Sequence, residues 1–172
     1  MSAGRSNITD KTDWNTPPKY IELVKKMFIE IDLDPCSNEN SLVDAKVKYM
    51  LPINGLKESW NFSRIFVNPP YGRDTENKTS LKDWLKKGKI AKDNGSELLY
   101  LIPVATNTSH FKDIIFKSAN SICFLEDTRL KFWSNGIENK KGAPMACCIV
   151  YFGNNPMKFE EVFGKVGKCF EI

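Results

Sequence analysis

Apolar and polar positions along the chain follow two periods that alternate from segment to segment. Apolar residues recur at helical spacing after Pro18, which predicts an amphipathic helix over about residues 18–29. The residues that follow alternate apolar and acidic side chains and stop at Pro35, so we expect a short strand that ends at Asp34. The run Arg64–Val67 predicts a second strand, which ends where two consecutive prolines cannot continue a β-ladder.

Helix and strand patterns continue to alternate in the second half of the chain. A Lys-rich helical pattern ends at Asn94-Gly95, and the continuous apolar run that follows predicts a strand buried on both faces of a sheet. The predicted elements of this half are a helix from Leu81 to Asn94, a helix over about 109–117, a helix over about 159–163, and strands at Leu98–Val104, Ile122–Leu125, Leu130–Trp133 and Met145–Phe152. Interleaved strands and helices indicate an α/β fold with a largely parallel sheet.

The segment 36–63 has the weakest pattern in the chain. It begins with polar residues, contains a short helical pattern through Ala45, and carries a turn signal at Asn54-Gly55. We therefore predict one short helix and a turn here.

Composition fits one globular domain. The chain has 172 residues, 41% of them apolar, and a net charge of +4 that permits a polyanionic partner without requiring one. Residues 1–13 are polar and lack periodicity, so we expect a flexible N-terminal arm and a single domain over 14–172. No apolar run approaches the roughly 20 residues of a membrane span and no signal-peptide core is present, so we expect a cytoplasmic protein with no membrane partner.

The cysteines and the single histidine argue against a metal centre. Five cysteines occur without Cys-x-x-Cys spacing, and His110 lies far from any pair of them. A zinc site needs several ligands at set intervals, so we expect no metal. The cysteines lie mainly in apolar segments and are interpreted as small buried hydrophobic residues in a reducing compartment.

The most informative tetrapeptide is Asn68-Pro69-Pro70-Tyr71. It follows a predicted buried strand, so it should lie at the carboxyl edge of the sheet, where open α/β sheets bind ligands. The same residues would also suit a rigid turn closed by an aromatic side chain.

This tetrapeptide matches the catalytic motif of amino methyltransferases, and the wider chain resembles the small bacteriophage-type DNA adenine-N6 methyltransferases. The matching features appear in the family's order: Trp14-Asn15-Thr16-Pro17, Leu33-Asp34-Pro35-Cys36, Asn40, Gly55-Leu56 with Trp60, Asn68–Gly72, the helix with Trp84, Leu101-Ile102-Pro103, Phe111 and Arg129–Phe132. The resemblance implies an abbreviated Rossmann-like sheet with helices on both faces, typical of S-adenosylmethionine-dependent methyltransferases. It also implies methyl transfer to a flipped adenine in double-stranded DNA.

The resemblance assigns the catalytic role to Asn68, Pro69, Pro70 and Tyr71. The exocyclic amine of adenine is a poor nucleophile because its lone pair is delocalised into the ring. The Asn68 side-chain oxygen and the Pro69 carbonyl would each accept one of its N–H bonds, which favours a pyramidal nitrogen. Proline suits this role because it fixes the backbone and offers only an acceptor. Tyr71 would stack on the base.

The resemblance implies S-adenosylmethionine as the methyl donor. The segment at Thr16-Pro17 resembles the one that contacts the donor's methionine end, although Thr16 would also serve as a plain helix cap. Asp34-Pro35-Cys36 resembles the donor-binding loop, although Asp34 would also suit an exposed strand end. The residues predicted to bind the donor are Trp14, Thr16, Pro17, Asp34, Pro35, Cys36 and Asn54.

The chain departs from the wider class on this donor side. No Gly-x-Gly follows the first predicted strand, and Asn54 stands where many relatives place an acidic residue. Only 33 residues lie between Asp34 and Asn68, whereas two complete βαβ steps need roughly 60. We therefore expect an abbreviated donor half. RNA adenine, a protein glutamine amide, or a relative that binds donor or DNA without turnover remain the alternatives.

DNA contacts are expected from positive charge near the tetrapeptide. Basic residues outnumber acidic ones by three between positions 73 and 93, a pattern that also fits a solvated helix face. The residues predicted to contact DNA are Arg73, Lys78, Lys82, Lys86, Lys140 and Lys141. Because the chain leaves no room for a separate recognition domain, sequence reading would fall to loops of the catalytic domain, a second copy of the chain or a partner subunit.

Overall fold

A mixed seven-stranded sheet organises the chain in the computed structural model, which describes residues 14–127 and 129–172. The helices are α1 (Pro18–Phe28), α2 (Leu81–Asp93), α3 (Phe116–Ser118), which continues a π-helical turn at Phe111–Ile115, and α4 (Pro156–Phe163). The strands are β1 (Ile31–Asp34), β2 (Ala45–Lys48), β3 (Arg64–Val67), β4 (Glu97–Pro103), β5 (Ser121–Leu125), β6 (Trp133–Ser134), β7 (Ile137–Glu138), β8 (Cys147–Phe152) and β9 (Gly167–Glu171). The predicted N-terminal arm lies outside the described residues.

The strand order is β2-β1-β3-β4-β8-β5-β9. The first four strands are parallel to one another, whereas β8 runs antiparallel to both β4 and β5, and β9 runs antiparallel to β5. The prediction of a largely parallel sheet is thus corrected to a mixed sheet. The sequence could not indicate the direction of β8, because its residues are all buried and a continuous apolar run is the same for a parallel and an antiparallel strand.

Helices cover both faces of the sheet, as the resemblance implies. One face buries Val24 of α1 and Phe159 of α4 against alternate sheet residues such as Leu99. The other face buries Leu85 of α2 and Phe111 of the π-helical turn. Each sheet residue contributes to only one of these two layers because successive side chains of a strand point to opposite faces.

The half of the sheet next to β1 is short and irregular. Neither the connection from β1 to β2 nor that from β2 to β3 contains a helix, which confirms the expected abbreviation. The helix predicted through Ala45 is wrong, because Ala45 begins β2 and pairs in parallel with Ile31. β2 is an edge strand in which lysines alternate with apolar residues, a common way to protect an exposed edge, and its four residues are too few for periodicity to reveal.

A small β-hairpin stands between β5 and β8. Its strands β6 and β7 pair antiparallel around Asn135 and Gly136, whose φ angles of 51° and 75° are the positive values that a type I′ turn requires. The strand predicted at Leu130–Trp133 is therefore misplaced, since only Trp133 enters β6. The Asn-Gly pair was the available hairpin signal. β9 was also missed in the sequence.

None of the helices in the described part of the chain combines the length and the apolar character that a bilayer-spanning helix needs.

Candidate active site

Several segments meet at the carboxyl edge of the sheet. β1, β3, β4 and β5 point the same way and end at this edge, and β8 begins there. Asp34 is the last residue of β1, and Asn68 directly follows β3. The segment 14–17, just ahead of α1, is brought to the same place by hydrogen bonds from Asn68. The tetrapeptide and most of the residues predicted to bind the donor therefore lie together.

The side-chain amide of Asn68 is held in one orientation. Its Nδ2 donates to the Trp14 carbonyl at 2.8 Å and to Thr16 Oγ1 at 3.2 Å. A carbonyl can only accept, so the nitrogen must face Trp14 and the oxygen must face the other way. Both N–H donors are thus engaged inside the protein, and Oδ1 is the atom left for another molecule.

Thr16 does not cap helix α1. The N-cap position belongs to Pro17, which has no side-chain cap bond, and α1 starts with Pro18. The Thr16 hydroxyl instead accepts from Asn68, and Thr16 is only 2% exposed. The helix-cap interpretation of Thr16 is therefore wrong, and the residue positions the tetrapeptide.

Three aromatic rings pack beside Asn68. Trp14 stacks on Phe132 with ring centroids 4.9 Å apart, and Tyr71 meets both rings edge-on. The Tyr71 hydroxyl donates to the Leu101 carbonyl at 3.0 Å. Burial raises the pKa of Tyr71 well above its ordinary value, so the hydroxyl stays protonated and keeps this bond. Pro69 is buried and Pro70 exposed, so the two prolines cross from the core to the surface.

Asp34 is a buried carboxylate at the end of β1. It is 4% exposed, and its Oδ1 accepts the Cys36 backbone N–H at 3.1 Å. Burial raises the pKa of Asp34 to about 6, against the lowering effect of the Cys36 N–H. The interpretation of Asp34 as an exposed strand-end acid is therefore wrong. Burial also raises the pKa of the Cys36 thiol, which stays neutral.

The predicted donor residue Asn54 is brought against the Asp34 loop by close backbone packing. A Cβ on the neighbouring Gly55 would meet the Pro35 carbonyl oxygen at 2.0 Å, so only glycine permits this approach. The side-chain oxygen of Asn54 accepts the Leu56 N–H at 3.0 Å. Its oxygen is thus used by the local turn.

Comparison with known proteins decides the family. The family model described as DNA N-6-adenine-methyltransferase (Dam) matches residues 5–167. The chain belongs to this family. Family membership implies S-adenosylmethionine as the methyl donor. No curated protein sequence gives a significant match to the chain.

A solved structure supports the fold of this Dam-family chain. A Listeria monocytogenes protein assigned to the class I S-adenosylmethionine-dependent methyltransferases matches with a TM-score of 0.51 at 14% identity. The match covers 84% of this chain and 62% of that protein, so the chain spans less than two thirds of its length. At this identity the likeness shows the class I methyltransferase fold alone.

The residues at the edge fit a Dam-family donor. S-adenosylmethionine carries a sulfonium and an ammonium, both cationic, together with hydroxyl groups and a carboxylate. Asp34 offers a buried acceptor whose burial penalises its charge until a cation or donor arrives. Asn15, 4% exposed, offers a buried Nδ2 donor without a partner. No group of three or more potential metal ligands occurs among residues 14–127 and 129–172.

The basic residues predicted to contact DNA divide into two sets. Lys82 pairs with Asp113 at 2.7 Å, and Lys86 lies 3.9 Å from Asp83. The second set is exposed and forms no ion pair with other described residues: Arg73, Lys78, Lys140 and Lys141. The second set lies on segments that adjoin the carboxyl edge, since Arg73 and Lys78 follow β3 and Lys140 and Lys141 precede β8, whereas Lys82 and Lys86 lie on α2.

Sequence reasoning missed Asn15 and Phe132 as parts of the site. Asn15 lies inside the Trp14–Pro17 stretch that carried the resemblance, yet its side chain was assigned no role. Its burial depends on Asn38 and on Trp133, both far along the chain, so no local pattern reveals it. Phe132 ends the segment Arg129–Phe132 that carries the resemblance, without a role assigned to it, and it is the stacking partner of Trp14.

Proposed function

We propose that this chain transfers the methyl group of S-adenosylmethionine to N6 of an adenine flipped out of double-stranded DNA. The observation that carries the proposal is the orientation of Asn68. Its two donors are engaged by Trp14 and Thr16, so an unengaged acceptor oxygen stands at the carboxyl edge. An amine with two N–H bonds is the substrate group that needs such an acceptor.

Asn68 and Pro69 would prepare the amine for attack. One N–H is donated to Asn68 Oδ1 and the other to the Pro69 carbonyl, which directs the nitrogen lone pair away from both. Because Asn68 is already held by the 14–16 segment, the acceptor requires no reorganisation when the base arrives. This fixed geometry is the protein's main contribution to a displacement that depends on alignment.

The methyl transfer needs no catalytic base. S-adenosylmethionine supplies an activated methyl group on a sulfonium. As the new N–C bond forms, the S–C bond breaks and its electron pair stays on sulfur. The surplus proton on nitrogen leaves to water after transfer. Asp34 need not act as a base, because its Oδ1 already accepts from Cys36 and its place at the end of β1 suits donor binding.

Tyr71 would hold the flipped base. Its hydroxyl bond to Leu101 and its edge contacts with Trp14 and Phe132 fix the ring next to Asn68. A fixed ring loses no rotamer freedom when a base stacks on it, and such stacking contributes about 1–3 kcal/mol. Pro70, which is exposed, would keep the turn rigid.

The methyl donor would lie between the 14–17 segment and the loop that follows β1. Asp34, Pro35 and Cys36 form one wall, Trp14, Thr16 and Pro17 form the other, and Asn54 lies at the end next to Pro35. We assign the donor to this place because its reactive carbon must reach the amine held by Asn68.

The exposed, unpaired basic residues would bind the DNA backbone. Arg73 and Lys78 lie between β3 and α2, and Lys140 and Lys141 lie between β7 and β8. The first segment follows β3 and the second precedes β8, so both adjoin the edge that holds Asn68 and would flank the place where a flipped base enters. Lys82 and Lys86 are weaker candidates because each already has a carboxylate nearby, Asp113 at 2.7 Å and Asp83 at 3.9 Å. Residues 14–172 would act as a single catalytic domain that reads DNA through these loops.

The test offers three acceptors to one enzyme preparation. Duplex DNA, RNA of the same sequence and a glutamine-containing protein extract are each incubated with S-adenosylmethionine labelled on its methyl group. We expect label in DNA, with none in the other two above a no-enzyme control. Label in RNA or protein instead of DNA would replace the proposed substrate. Donor binding without transfer to any acceptor would show an inactive relative.

A further inference from the structure

Two of the five cysteines face each other across neighbouring strands. The edge strand β9 pairs antiparallel with β5, and Cys123 is directly opposite Cys169 in this pairing. Both residues belong to the layer of the core that α1 and α4 cover, so their side chains project to the same face of the sheet. No other two cysteines are direct partners in the strand registers of residues 14–127 and 129–172.

The position of this pair in the β-ladder follows from the hydrogen bonds on either side of it. Opposite residues of antiparallel strands alternate between hydrogen-bonded and non-hydrogen-bonded pairs. On one side, the Glu126 N–H donates to the Val166 carbonyl at 3.0 Å. On the other side, the Ile172 N–H donates to the Asn120 carbonyl at 3.1 Å. Both hydrogen-bonded pairs lie three steps along the ladder from the cysteines, which therefore form a non-hydrogen-bonded pair.

A non-hydrogen-bonded pair has a separation that a disulfide can span. Its Cα atoms lie about 4.5 Å apart, within the range of about 4.4–6.8 Å found in disulfides. The Cys123 side chain is also directed towards β9, since its Sγ is 2.8 Å from the position that a Cβ on Gly167 would take. A bond between the sulfurs of Cys123 and Cys169 would consequently require no change in strand pairing.

The two thiols differ in exposure and in acidity. Cys123 is fully buried, whereas Cys169 is partly exposed. A hydrogen bond from Cys123 lowers the pKa of the Cys169 thiol, and the same bond, together with burial, raises the pKa of Cys123. The thiolate is the form of cysteine that reacts with oxidants. Cys169 is thus the thiol that an oxidant would reach first, and Cys123 is the neighbour that would react with the product.

We propose that Cys169 and Cys123 form a reversible disulfide when the protein meets a peroxide. The Cys169 thiolate attacks one peroxide oxygen, the O–O bond breaks and hydroxide leaves, which converts Cys169 to a sulfenic acid. The Cys123 sulfur then attacks the Cys169 sulfur, the S–O bond breaks, and the oxygen leaves as water with the proton of the Cys123 thiol. The two thiols together lose two electrons, and one hydrogen peroxide is reduced to two waters.

The bridge would tie the edge strand β9 covalently to β5. The closed segment contains the β6–β7 hairpin, β8 and α4. Closing a long segment reduces the conformational freedom of the unfolded chain, so the oxidised protein should be more stable than the reduced one.

The test treats the reduced protein with hydrogen peroxide and identifies the product by intact mass, by thiol titration in denaturant and by tryptic mapping without reduction. Trypsin releases the two cysteines in separate peptides, residues 118–129 and 169–172, and neither peptide contains another cysteine. The variants are Cys169→Ser and Cys123→Ala. Cys148→Ala is the matched control, because Cys148 is buried in β8 and is opposite Ile102 and Phe124 rather than a cysteine.

We expect the wild type and Cys148→Ala to lose two titratable thiols and about 2 Da, and to yield the peptide 118–129 linked to 169–172. Cys123→Ala should stop at a sulfenic acid on Cys169, which dimedone traps, and Cys169→Ser should keep all of its thiols. The oxidised wild type should unfold roughly 5–15 °C above the reduced form, and dithiothreitol should reverse the shift. Thermal unfolding of each reduced variant establishes that it is folded.

A bridge through any other cysteine, or a disulfide between two copies of the chain through Cys169, would overturn the proposal. A wild type whose thiols all stay reduced, or whose Cys169 sulfenic acid is not resolved by Cys123, would also overturn it. None of these readouts involves methyl transfer, so the result does not depend on the proposed function.

Discussion

The two sides of the carboxyl edge satisfy their polar groups differently. On the side of the tetrapeptide, the Asn68 nitrogen and the Tyr71 hydroxyl both donate to protein acceptors. On the side of the β1 loop, Asp34 is buried with a raised pKa, and Asn15 keeps an unpaired donor. On the side that would bind the methyl acceptor, the N–H and O–H groups are therefore already held by the protein and Asn68 Oδ1 is left free. The side that would bind the methyl donor carries groups whose burial is unfavourable until a ligand arrives.

The residues on the acceptor side are thus held in place before any ligand binds, whereas the polar groups on the donor side gain their partners only when the methyl donor binds. Residues on the acceptor side should contribute to stability as well as to catalysis, because Asn68 joins the end of β3 to the 14–16 segment and Tyr71 joins the tetrapeptide to β4. Residues on the donor side should lower the stability of the free protein and raise its affinity for donor. Replacing them should thus move stability and binding in opposite directions.

The largest effect is expected at Asn68. Asn68→Ala should lower the rate of methyl transfer by about 100- to 1000-fold, the range found when one preorganised polar group is removed from an active site. It should weaken donor binding by about fivefold at most, since only the bonds to Trp14 and Thr16 are lost on that side. Single-turnover transfer and equilibrium binding of S-adenosylhomocysteine measure the two quantities.

Asn77→Ala is the control for Asn68, because Asn77 is an exposed asparagine of the following loop that bonds to Asp74. Its transfer rate should equal that of the wild type. A parallel loss of transfer and binding in Asn68→Ala would show that Asn68 serves the donor and not the acceptor.

The next effect concerns Asp34 and has opposite signs for stability and binding. Burial raises the pKa of Asp34 from 3.8 to about 6, so the folded state holds a proton more tightly than the unfolded state. Stability should consequently fall as pH rises from about 4 to 6 and stay level above. The shift corresponds to about 3 kcal/mol.

Asp34→Asn removes this titration while keeping an oxygen for the Cys36 N–H. Denaturant unfolding should show the variant to be more stable than the wild type by up to about 3 kcal/mol at pH 7.5, with the difference gone near pH 4. Donor binding at pH 7.5 should weaken at least tenfold, because the charge that faces the donor is lost. A variant that loses stability at pH 7.5 would show Asp34 to be structural.

A smaller effect is expected for the unpaired lysines beside the edge. Lys140→Glu with Lys141→Glu should weaken DNA binding by about tenfold at 0.1 M salt and reduce the slope of log K against log salt by about 2, one unit per lost phosphate contact. Lys117→Glu with Lys158→Glu makes the same charge change near the opposite edge. Titrations at several salt concentrations would refute the assignment if both double variants behaved alike.

The smallest effect is expected for the Tyr71 hydroxyl. Tyr71→Phe loses the bond to Leu101 and should cost about 1 kcal/mol of stability, with transfer within threefold of the wild type. Tyr71→Ala also removes the ring and should lower transfer about tenfold or more. Equal transfer rates for the two variants, at matched folded fraction, would exclude stacking by the ring.

The sequence predicted the elements whose signals are local. Arg64–Val67 is a strand with the expected bounds, because the prolines after it end the ladder. The helix expected from Leu81 to Asn94 occupies Leu81–Asp93, since the apolar period and the Asn-Gly stop are both contained in the segment. The abbreviation of the donor half was predictable because only 33 residues separate Asp34 and Asn68 along the chain.

The remaining features depend on partners that are distant along the chain. β2 and β9 are short edge strands, and each is defined by one neighbour and not by its own residues. β8 runs antiparallel to β4 and β5, and this direction depends on the connection from β5 to β8, which contains the β6–β7 hairpin. In the site, the unpaired state of Asn15 results from Asn38, and the neutralisation of Lys82 results from Asp113. No pattern within a single segment contains such information.

The most direct test identifies the methylated atom. Duplex DNA is incubated with the protein and S-adenosylmethionine labelled on its methyl group, digested to nucleosides, and separated by chromatography with mass detection. All label should elute as N6-methyldeoxyadenosine for the wild type, and Asn68→Ala should incorporate about 100- to 1000-fold less label in the same time. Label on the exocyclic amine of cytosine, or DNA without label from a protein that binds the donor, would contradict adenine N6 transfer.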